Sequence, residues 1–241
     1  MEITSLTNSK VKNWVRLQNK KHRDLEQCFI VEGEHLIKEV YDANLLDEII
    51  VEIGYDNPYT NIDSYEVTPD ILNKISSTVS GSKIMGIAHY QNCAVELGNK
   101  VVILDHVQDP GNVGTIIRTA LSFGYTSVIL ANDSLDIYNE KLIRSTQGAL
   151  FHIPVIKRDI EQCIKELQAN NYEVYATNLK AAISLEEIEA AESFALVFGN
   201  EGQGISPEVE KLVDKNIVIE MNTFESLNVA VAAGICMYKL K

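Results

Sequence analysis

The sequence of 241 residues predicts an α/β fold built from two domains. From residue 101 onward, short apolar strands alternate with helical segments, which is typical of a parallel sheet covered by helices on both faces. The preceding part of the chain forms a smaller α/β unit, and a polar stretch separates the two parts. The predicted organisation is an N-terminal domain at 1–92, a linker at 93–100 and a C-terminal domain at 101–241.

The N-terminal domain is predicted to alternate helices with short apolar strands. Helical spacing of Val11, Trp14 and Val15 indicates the first helix, and Pro69 favours a helix start at its own position. In chain order, the predicted elements are helix 9–21, strand 28–31, helix 34–44, strand 49–51, helix 69–77 and strand 84–90.

The C-terminal domain continues the alternation to the end of the chain. Ser206 and Pro207 provide good chemistry for a helix start late in this domain. Around that helix, the predicted elements are strand 101–104, helix 115–123, strand 128–130, helix 140–148, strand 152–156, helix 160–169, strand 173–176, helix 185–190, strand 194–198, strand 217–219 and a final helix from about residue 225. Ligands of open α/β sheets bind beyond the carboxyl ends of the strands, so we expect chemistry in loops 105–114, 199–204 and 221–226.

Composition excludes several classes of protein. No apolar run reaches the roughly 18–20 residues that span a bilayer, and the N-terminus lacks the apolar segment of a secretory signal. The four cysteines form no C-x-x-C pair, which is typical of reduced thiols. We therefore expect a cytoplasmic protein with no membrane segment and no metal site.

The net charge of −13 argues against a nucleic-acid partner, because an acidic protein repels phosphate. Basic residues nevertheless cluster at the N-terminus, at Lys10, Lys12, Arg16, Lys20, Lys21 and Arg23. On charge alone, a nucleic-acid contact and a solvated helix surface remain equal alternatives.

The loop after the first C-terminal strand contains Asp109, Asn112 and Arg118. Pro110 and Gly111 predict a tight turn there, which places Arg118 about one turn into the following helix. A cation near a helix N-terminus opposes the dipole, so a phosphate site explains Arg118 better than stabilisation does. The alternative is an exposed arginine that pairs with a surface carboxylate.

The other two loops keep more than one ligand class open. Gly199, Gly202 and Gly204 let backbone approach a ligand closely, but their spacing is not that of a dinucleotide fingerprint. Glu220 follows a strand, as in dinucleotide sites, whereas the first strand–helix loop lacks the required glycines.

The final helix is apolar on nearly every side, which predicts contacts with its own sheet and with another subunit.

Three segments together resemble the SpoU/TrmH RNA methyltransferases. DPGNVGTIIRTALSFG resembles motif 1 of that family, LVFGNEGQGIS motif 2 and SLNVAVAAGI motif 3, in the family's order and spacing. IRSTQGALFHIPV also resembles a family segment. FIVEGEHLIKEV resembles the ribosomal-protein-like substrate-binding domain that often precedes the catalytic domain. The resemblance covers almost the whole chain.

The resemblance implies a C-terminal domain with a deep trefoil knot, one of the rare exceptions to unknotted folds. It also implies that the chain binds S-adenosylmethionine, methylates a ribose 2′-oxygen of RNA and works as a homodimer through the knotted domain. The N-terminal domain favours rRNA over tRNA. The alternatives are a tRNA ribose methyltransferase and a catalytically silent RNA-binding protein of the same fold.

The resemblance also implies site residues. The implied catalytic residues are Asn112, Arg118, Glu201, Ser226 and Asn228. The implied cofactor-binding residues are Gly199, Ile219, Met221 and Leu227. For RNA we expect Arg144 beside the basic N-terminal residues. Arg118 is expected to act as the base or to clamp a phosphate that accepts the proton, oriented by Glu201 and Asn112. The clamp agrees better with a guanidinium that stays protonated.

Overall fold

The computed structural model describes residues 1–78, 81–91, 96–178, 182–222 and 226–241. Contacts divide the chain into two compact units. Unit 1 consists of Met1–Cys93 and Tyr138–Phe151, and unit 2 of Ala94–Ile137 and His152–Lys241. The predicted end of the first domain, at residue 92, lies outside the described residues.

The described elements follow the predicted alternation of strands and helices. In chain order they are β1 Glu2–Ile3, α1 Ser9–Arg16, α2 Lys20–Glu26, β2 Cys28–Glu32, α3 Glu34–Asp42, β3 Leu46–Glu52, β4 Asp63–Val67, α4 Pro69–Ile75, β5 Ile84–His89, β6 Lys100–Asp105, α5 Pro110–Ser122, β7 Ser127–Ala131, α6 Glu140–Thr146, β8 Val155–Arg158, α7 Ile160–Ala169, β9 Glu173–Thr177, β10 Ile183–Ser184, β11 Phe194–Gly199, α8 Pro207–Glu210, β12 Lys215–Val218 and α9 Val229–Lys239. Short 3₁₀ helices occupy Ala149–Phe151 and Leu185–Glu187.

Unit 1 is a five-stranded mixed sheet in the order β1-β4-β3-β5-β2. Strand β5 runs antiparallel to β2 and β3, whereas β4 runs parallel to β1 and β3. The predicted single helix over 9–21 is wrong, because the chain leaves α1 at Leu17 and starts again at α2. The side chain of Asn19 caps α2 by accepting the Lys21 N–H at 2.9 Å.

One segment of unit 1 comes from far along the chain. The ring of Tyr138 stacks on Tyr90 at 3.8 Å and on Phe29 at 4.7 Å between centroids. Gln91 donates from its side-chain amide to the carbonyl of Phe151 at 3.0 Å. The segment around α6, which the contiguous sequence boundaries assign to the C-terminal domain, therefore packs within unit 1.

Unit 2 contains a parallel seven-stranded sheet in the order β10-β12-β9-β11-β6-β7-β8, which confirms the predicted α/β class. Strands β7 and β11 are buried along their whole length, as expected of a sheet covered on both faces. Within the described ranges, no helix is long and apolar enough to cross a membrane.

Three predicted helix boundaries in unit 2 are wrong. Helix α5 begins at Pro110 rather than Thr115, because Asp109 caps it and proline suits its first position. The predicted helix over 185–190 is only the 3₁₀ helix at Leu185–Glu187. The final helix begins at Val229, after the cap Asn228, rather than near residue 225.

Candidate active site

The candidate site lies where β6 and β11 end side by side. Asp105, the last residue of β6, is the register partner of Gly199, the last residue of β11. The motif 1 and motif 2 loops therefore leave the sheet at the same edge. This is the carboxyl edge, where ligands of open parallel sheets bind.

Two hydrogen bonds attach the motif 2 loop to the end of β6. The Asp105 carboxylate, whose side chain is 1% exposed, accepts the Ser206 N–H at 2.7 Å. Asn200 donates from its side-chain amide to the His106 carbonyl at 2.9 Å. The same Asn200 side chain accepts the Gly202 N–H at 2.9 Å. The loop is consequently held at both of its ends.

Gly199 occupies a position that only glycine fits. A Cβ atom there would lie 2.2 Å from the carbonyl carbon of Gly204 and 2.3 Å from the Ile205 nitrogen. The backbone of the loop returns across this point, where Asn200 and Gly204 form an antiparallel bridge. The close approach of the loop to itself thus accounts for the glycine independently of any ligand.

Asn112 connects the three motifs through its side-chain amide. It donates to the Glu201 carboxylate at 3.0 Å and accepts from the Asn228 amide at 3.0 Å. Asn228 also caps α9, since its side-chain oxygen accepts the N–H groups of Ala230 and Val231. The structure therefore brings together three of the five predicted catalytic residues.

Arg118 stands apart from this network. It is exposed, and among the described residues no hydrogen bond or ion pair holds its guanidinium. Glu201 and Asn112, which were expected to orient it, bond to each other instead. Because α5 begins at Pro110, Arg118 lies about two turns into the helix, and the predicted anion site at the helix N-terminus does not apply to it. Ser226 is exposed.

Of the predicted cofactor residues, Gly199 ends β11, Ile219 and Met221 follow β12, and Leu227 precedes α9. Ile219 and Met221 are half-buried beyond the end of β12, and Leu227 is 38% exposed. Three large apolar side chains at the carboxyl edge of the sheet thus retain accessible surface, which suits contact with an adenine ring. Part of the predicted loop, residues 223–225, lies outside the described residues.

Four of the predicted RNA-binding residues are exposed on the helices of unit 1: Lys12, Arg16, Lys20 and Lys21. Lys10 is instead ion-paired with Glu48 and lies 4.2 Å from the centre of the Tyr65 ring. The position of Lys10 is explained by these contacts within unit 1.

The remaining two basic residues line a cavity in unit 1. Arg23 is 7% exposed, and its guanidinium donates to the carbonyls of Leu17 and Gln18 at 2.8 and 2.9 Å. The Arg144 side chain is 40% exposed and lies 3.7 Å from the Glu140 carboxylate. Sequence reasoning selected both arginines for their charge and gave no sign of the cavity.

Helix α9 exposes an apolar stripe. Its buried face packs into unit 2 through Ala230, Ala233, Cys236 and Met237. Its other face presents Val231, Ile235 and Tyr238, which are 51%, 39% and 59% exposed. This stripe borders a groove of about 1120 Å³ that α5 and α9 line together.

Over the described part of the chain, no group of three His, Cys, Asp or Glu side chains could hold a metal ion. The free thiols there are those of Cys28, Cys163 and Cys236, and the last two are buried. Burial raises the pKa of Cys236 to about 12, which keeps this thiol protonated at neutral pH.

The parallel sheet, with three polar motifs joined at its carboxyl edge, defines a class of α/β nucleotide-cofactor enzyme. A family model described as the SpoU rRNA Methylase family matches residues 99–238, and one described as the MRM3-like substrate binding domain matches residues 8–86. The chain belongs to the SpoU rRNA methylase family, which confirms the resemblance of its three motifs.

Relatives along the whole chain agree with this membership. The 23S rRNA (guanosine(2553)-2'-O)-methyltransferase RlmP of Bacillus subtilis (strain 168) is 38% identical over 245 residues, covering 100% of this chain and 99% of the relative. The AdoMet-bound rRNA methyltransferase from Sinorhizobium meliloti has a TM-score of 0.87 at 28% identity, covering 99% and 96% of the two chains. A putative TrmH-family RNA methyltransferase from Porphyromonas gingivalis also has a TM-score of 0.87 at 28% identity, covering 98% of each chain.

Proposed function

We propose that this chain methylates a ribose 2′-oxygen of RNA, with 23S rRNA as the substrate and S-adenosylmethionine as the methyl donor. The observation that carries the proposal is the hydrogen-bonded connection of Glu201, Asn112 and Asn228 at the carboxyl edge of the sheet. Membership of the family and the similarity to the Bacillus enzyme support the choice of rRNA.

The cofactor is held by the backbone around Gly199 and by the apolar side chains of Ile219, Met221 and Leu227. Their accessible surface fits a nucleoside, whose flat ring prefers apolar walls with a few polar groups. S-adenosylmethionine supplies an electrophilic methyl group. The hydrogen bond between Asn112 and Asn228 keeps the N-terminal ends of α5 and α9 in a fixed relation beside the proposed cofactor site.

Arg118 binds the phosphate beside the target ribose. A guanidinium remains protonated far above neutral pH, so it serves poorly as a base, and it pairs well with a phosphate oxygen. Its exposure leaves the side chain accessible to RNA. As the O–CH3 bond would form and the S–CH3 bond of the donor would break, the 2′-hydroxyl proton would pass by way of this phosphate to water, and positioning provides most of the acceleration.

The segment at 1–92 is the RNA-binding domain, 93–100 the linker and 101–241 the methyltransferase domain, apart from Tyr138–Phe151, which packs within unit 1. We expect the trefoil knot in the methyltransferase domain. The exposed cations of α1 and α2 contact the RNA backbone. The assembly is a homodimer through the apolar stripe of α9, and the reaction takes place in the cytoplasm.

The test is methyl transfer from radiolabelled S-adenosylmethionine to purified, unmodified 23S rRNA, 16S rRNA and tRNA. We expect label in 23S rRNA with the intact chain. Arg118→Ala should lose at least about a hundredfold in turnover, since removal of one charged group that positions a phosphate costs this order of rate. It should still bind the cofactor in calorimetry.

Arg158→Ala is the matched control. Arg158 lies at the end of β8, where it pairs with Glu166 at 2.6 Å. This variant should retain the turnover of the intact chain. Label in tRNA alone would favour the tRNA alternative. Cofactor binding without label in any RNA would favour the silent RNA-binding protein.

A further inference from the structure

Unit 1 contains a cavity of about 370 Å³ that no part of the proposed reaction uses. It lies between the turn that joins α1 to α2, α2, β2, α3, the end of α4 and the α6 segment. Its volume falls near the lower end of the roughly 300–1,000 Å³ typical of small-molecule sites. The cavity therefore has room for a small organic ligand such as a single planar ring system.

The charged groups of the cavity wall cancel. Arg23 and Arg144 contribute two positive charges, and Glu32 and Glu140 contribute two negative charges. Such a wall attracts neither a phosphate nor an ammonium group by net charge. A neutral ligand with several hydrogen-bond donors and acceptors fits better, because the wall contains both kinds of group.

Hydrogen bonds within unit 1 hold part of this wall in place. The Glu32 carboxylate accepts from the Ser76 hydroxyl at 2.8 Å and from the Ser77 N–H at 2.9 Å. The Arg23 guanidinium donates to two backbone carbonyls at the end of α1. These bonds fix one carboxylate and one guanidinium before any ligand arrives, which lowers the entropy lost on binding.

The second charged pair is held more loosely. Arg144 lies 3.7 Å from Glu140, so the distance is beyond a hydrogen bond and both groups can bond a ligand. Burial raises the pKa of the Glu140 carboxyl because it destabilises the charged form. A hydrogen-bond donor on a ligand would therefore stabilise the Glu140 carboxylate. Apolar side chains complete the wall, including Ile75 and Ile143.

The helices that form the cavity also carry exposed cations. Arg16 lies one residue before the cavity residue Leu17, and Lys20 and Lys21 lie shortly before Arg23. Cations around a neutral cavity are the arrangement that suits a nucleotide, whose phosphate is charged and whose base is not. We propose that this cavity binds one unpaired nucleobase of the RNA substrate.

The proposal rests on the proposed function only in that the base belongs to an RNA, and it can be tested without transfer activity. The full chain is labelled at isoleucine δ1 methyl groups and titrated with each of the four ribonucleosides at millimolar concentration. We expect at least one nucleoside to shift the methyl signals of Ile75 and Ile143 in a saturable way. The signals of Ile103 and Ile129, which lie in the core of unit 2, should not move.

Three variants test whether the ligand binds in the cavity. Ser77→Phe adds a ring at an exposed position of the cavity wall, and we expect at least about tenfold weaker nucleoside affinity. Asn73→Phe adds the same ring at an exposed position of α4 outside the cavity and should bind like the intact chain. Arg144→Ala, at a partly exposed side chain, gives a second weakened variant should Ser77→Phe fail to fold.

Unchanged Ile75 and Ile143 signals with all four nucleosides would overturn the proposal. Equal binding by Ser77→Phe, Arg144→Ala and the intact chain would do the same. Methyl transfer to rRNA is measured on the same preparation. Methyl transfer without nucleoside binding would overturn the cavity proposal and leave the proposed function intact. Nucleoside binding without methyl transfer would support the cavity proposal and contradict the proposed function.

Discussion

At the scale of single residues, Asn112 and Asn228 join the three motifs. Asn112 links Glu201 to Asn228 through opposite ends of one amide group. A reversed amide would direct its oxygen at the Glu201 carboxylate, so the hydrogen bonds allow only one orientation. This constraint holds three motifs together through three side chains and two hydrogen bonds.

Asn228 has two separable functions that a pair of variants distinguishes. Asn228→Asp keeps the helix cap but replaces the donor to Asn112 with an acceptor. We expect stability close to that of the intact chain and a turnover at least about tenfold lower, since the lost hydrogen bond positions the motifs. Thermal unfolding and methyl transfer are measured on the same samples.

Asn228→Ala removes both functions and should also lose about 1 kcal/mol of unfolding free energy, as expected for a lost cap. Full turnover in Asn228→Asp would show that the contact with Asn112 is irrelevant to the reaction. Equal stability of the two variants would show that the cap contributes little.

At the scale of elements, the sequence predicted whether a segment is a helix or a strand better than it predicted where the segment begins and ends. Alternation of apolar runs located most strands of unit 2, because strands buried on both faces have no polar positions. Two-residue strands such as β1 and β10 are too short to show a period. Strand β4 does alternate, with Tyr65 and Val67 buried on either side of the exposed Glu66, and its sequence carries that signal.

The start of α5 shows how an element boundary changes the interpretation of a site. Proline and glycine after Asp109 predict a turn, whereas in the structure the proline occupies the first helical position and Asp109 is the cap. Arg118 consequently moves away from the helix N-terminus. The motif 1 loop still leaves the sheet at its carboxyl edge, because the strand before the loop was correctly predicted.

The apolar stripe of α9 gives an element-scale prediction. Val231 is 51% exposed and lies in the first turn of α9, where an acidic residue agrees with the helix dipole. We expect Val231→Glu to remain folded and to change a dimer into a monomer, measured by size-exclusion chromatography with light scattering.

Leu25→Glu is the matched control, since Leu25 is 73% exposed on α2 of unit 1. It should leave the mass unchanged. A monomeric intact chain, or a Val231→Glu variant that stays dimeric, would rule out the stripe as the subunit interface.

At the scale of the whole molecule, an acidic protein acts on an acidic polymer. The net charge of −13 coexists with exposed cations on α1 and α2 of unit 1. We expect the exposed cations to guide the RNA substrate to this one surface, while the acidic remainder discourages binding elsewhere. The overall charge alone argues against an RNA partner, the distribution of charge leaves two equal alternatives, and the three motifs decide between them.

The division into units is the part of the architecture that the sequence concealed. Tyr138–Phe151 belongs to unit 1 through contacts with residues such as Phe29 and Tyr90, which are remote in the chain. Local periodicity describes neighbours along the sequence and carries no information about such pairings. The cavity that this segment helps to line was hidden for the same reason.

The most direct test of the account is the chemical identity of the methylated product. After transfer to 23S rRNA, the RNA is digested to nucleosides and analysed by mass spectrometry. We predict one 2′-O-methylnucleoside, with the added mass on the ribose fragment, and its absence with Arg118→Ala. A methyl group on a base fragment would contradict the proposed reaction even if 23S rRNA were the substrate.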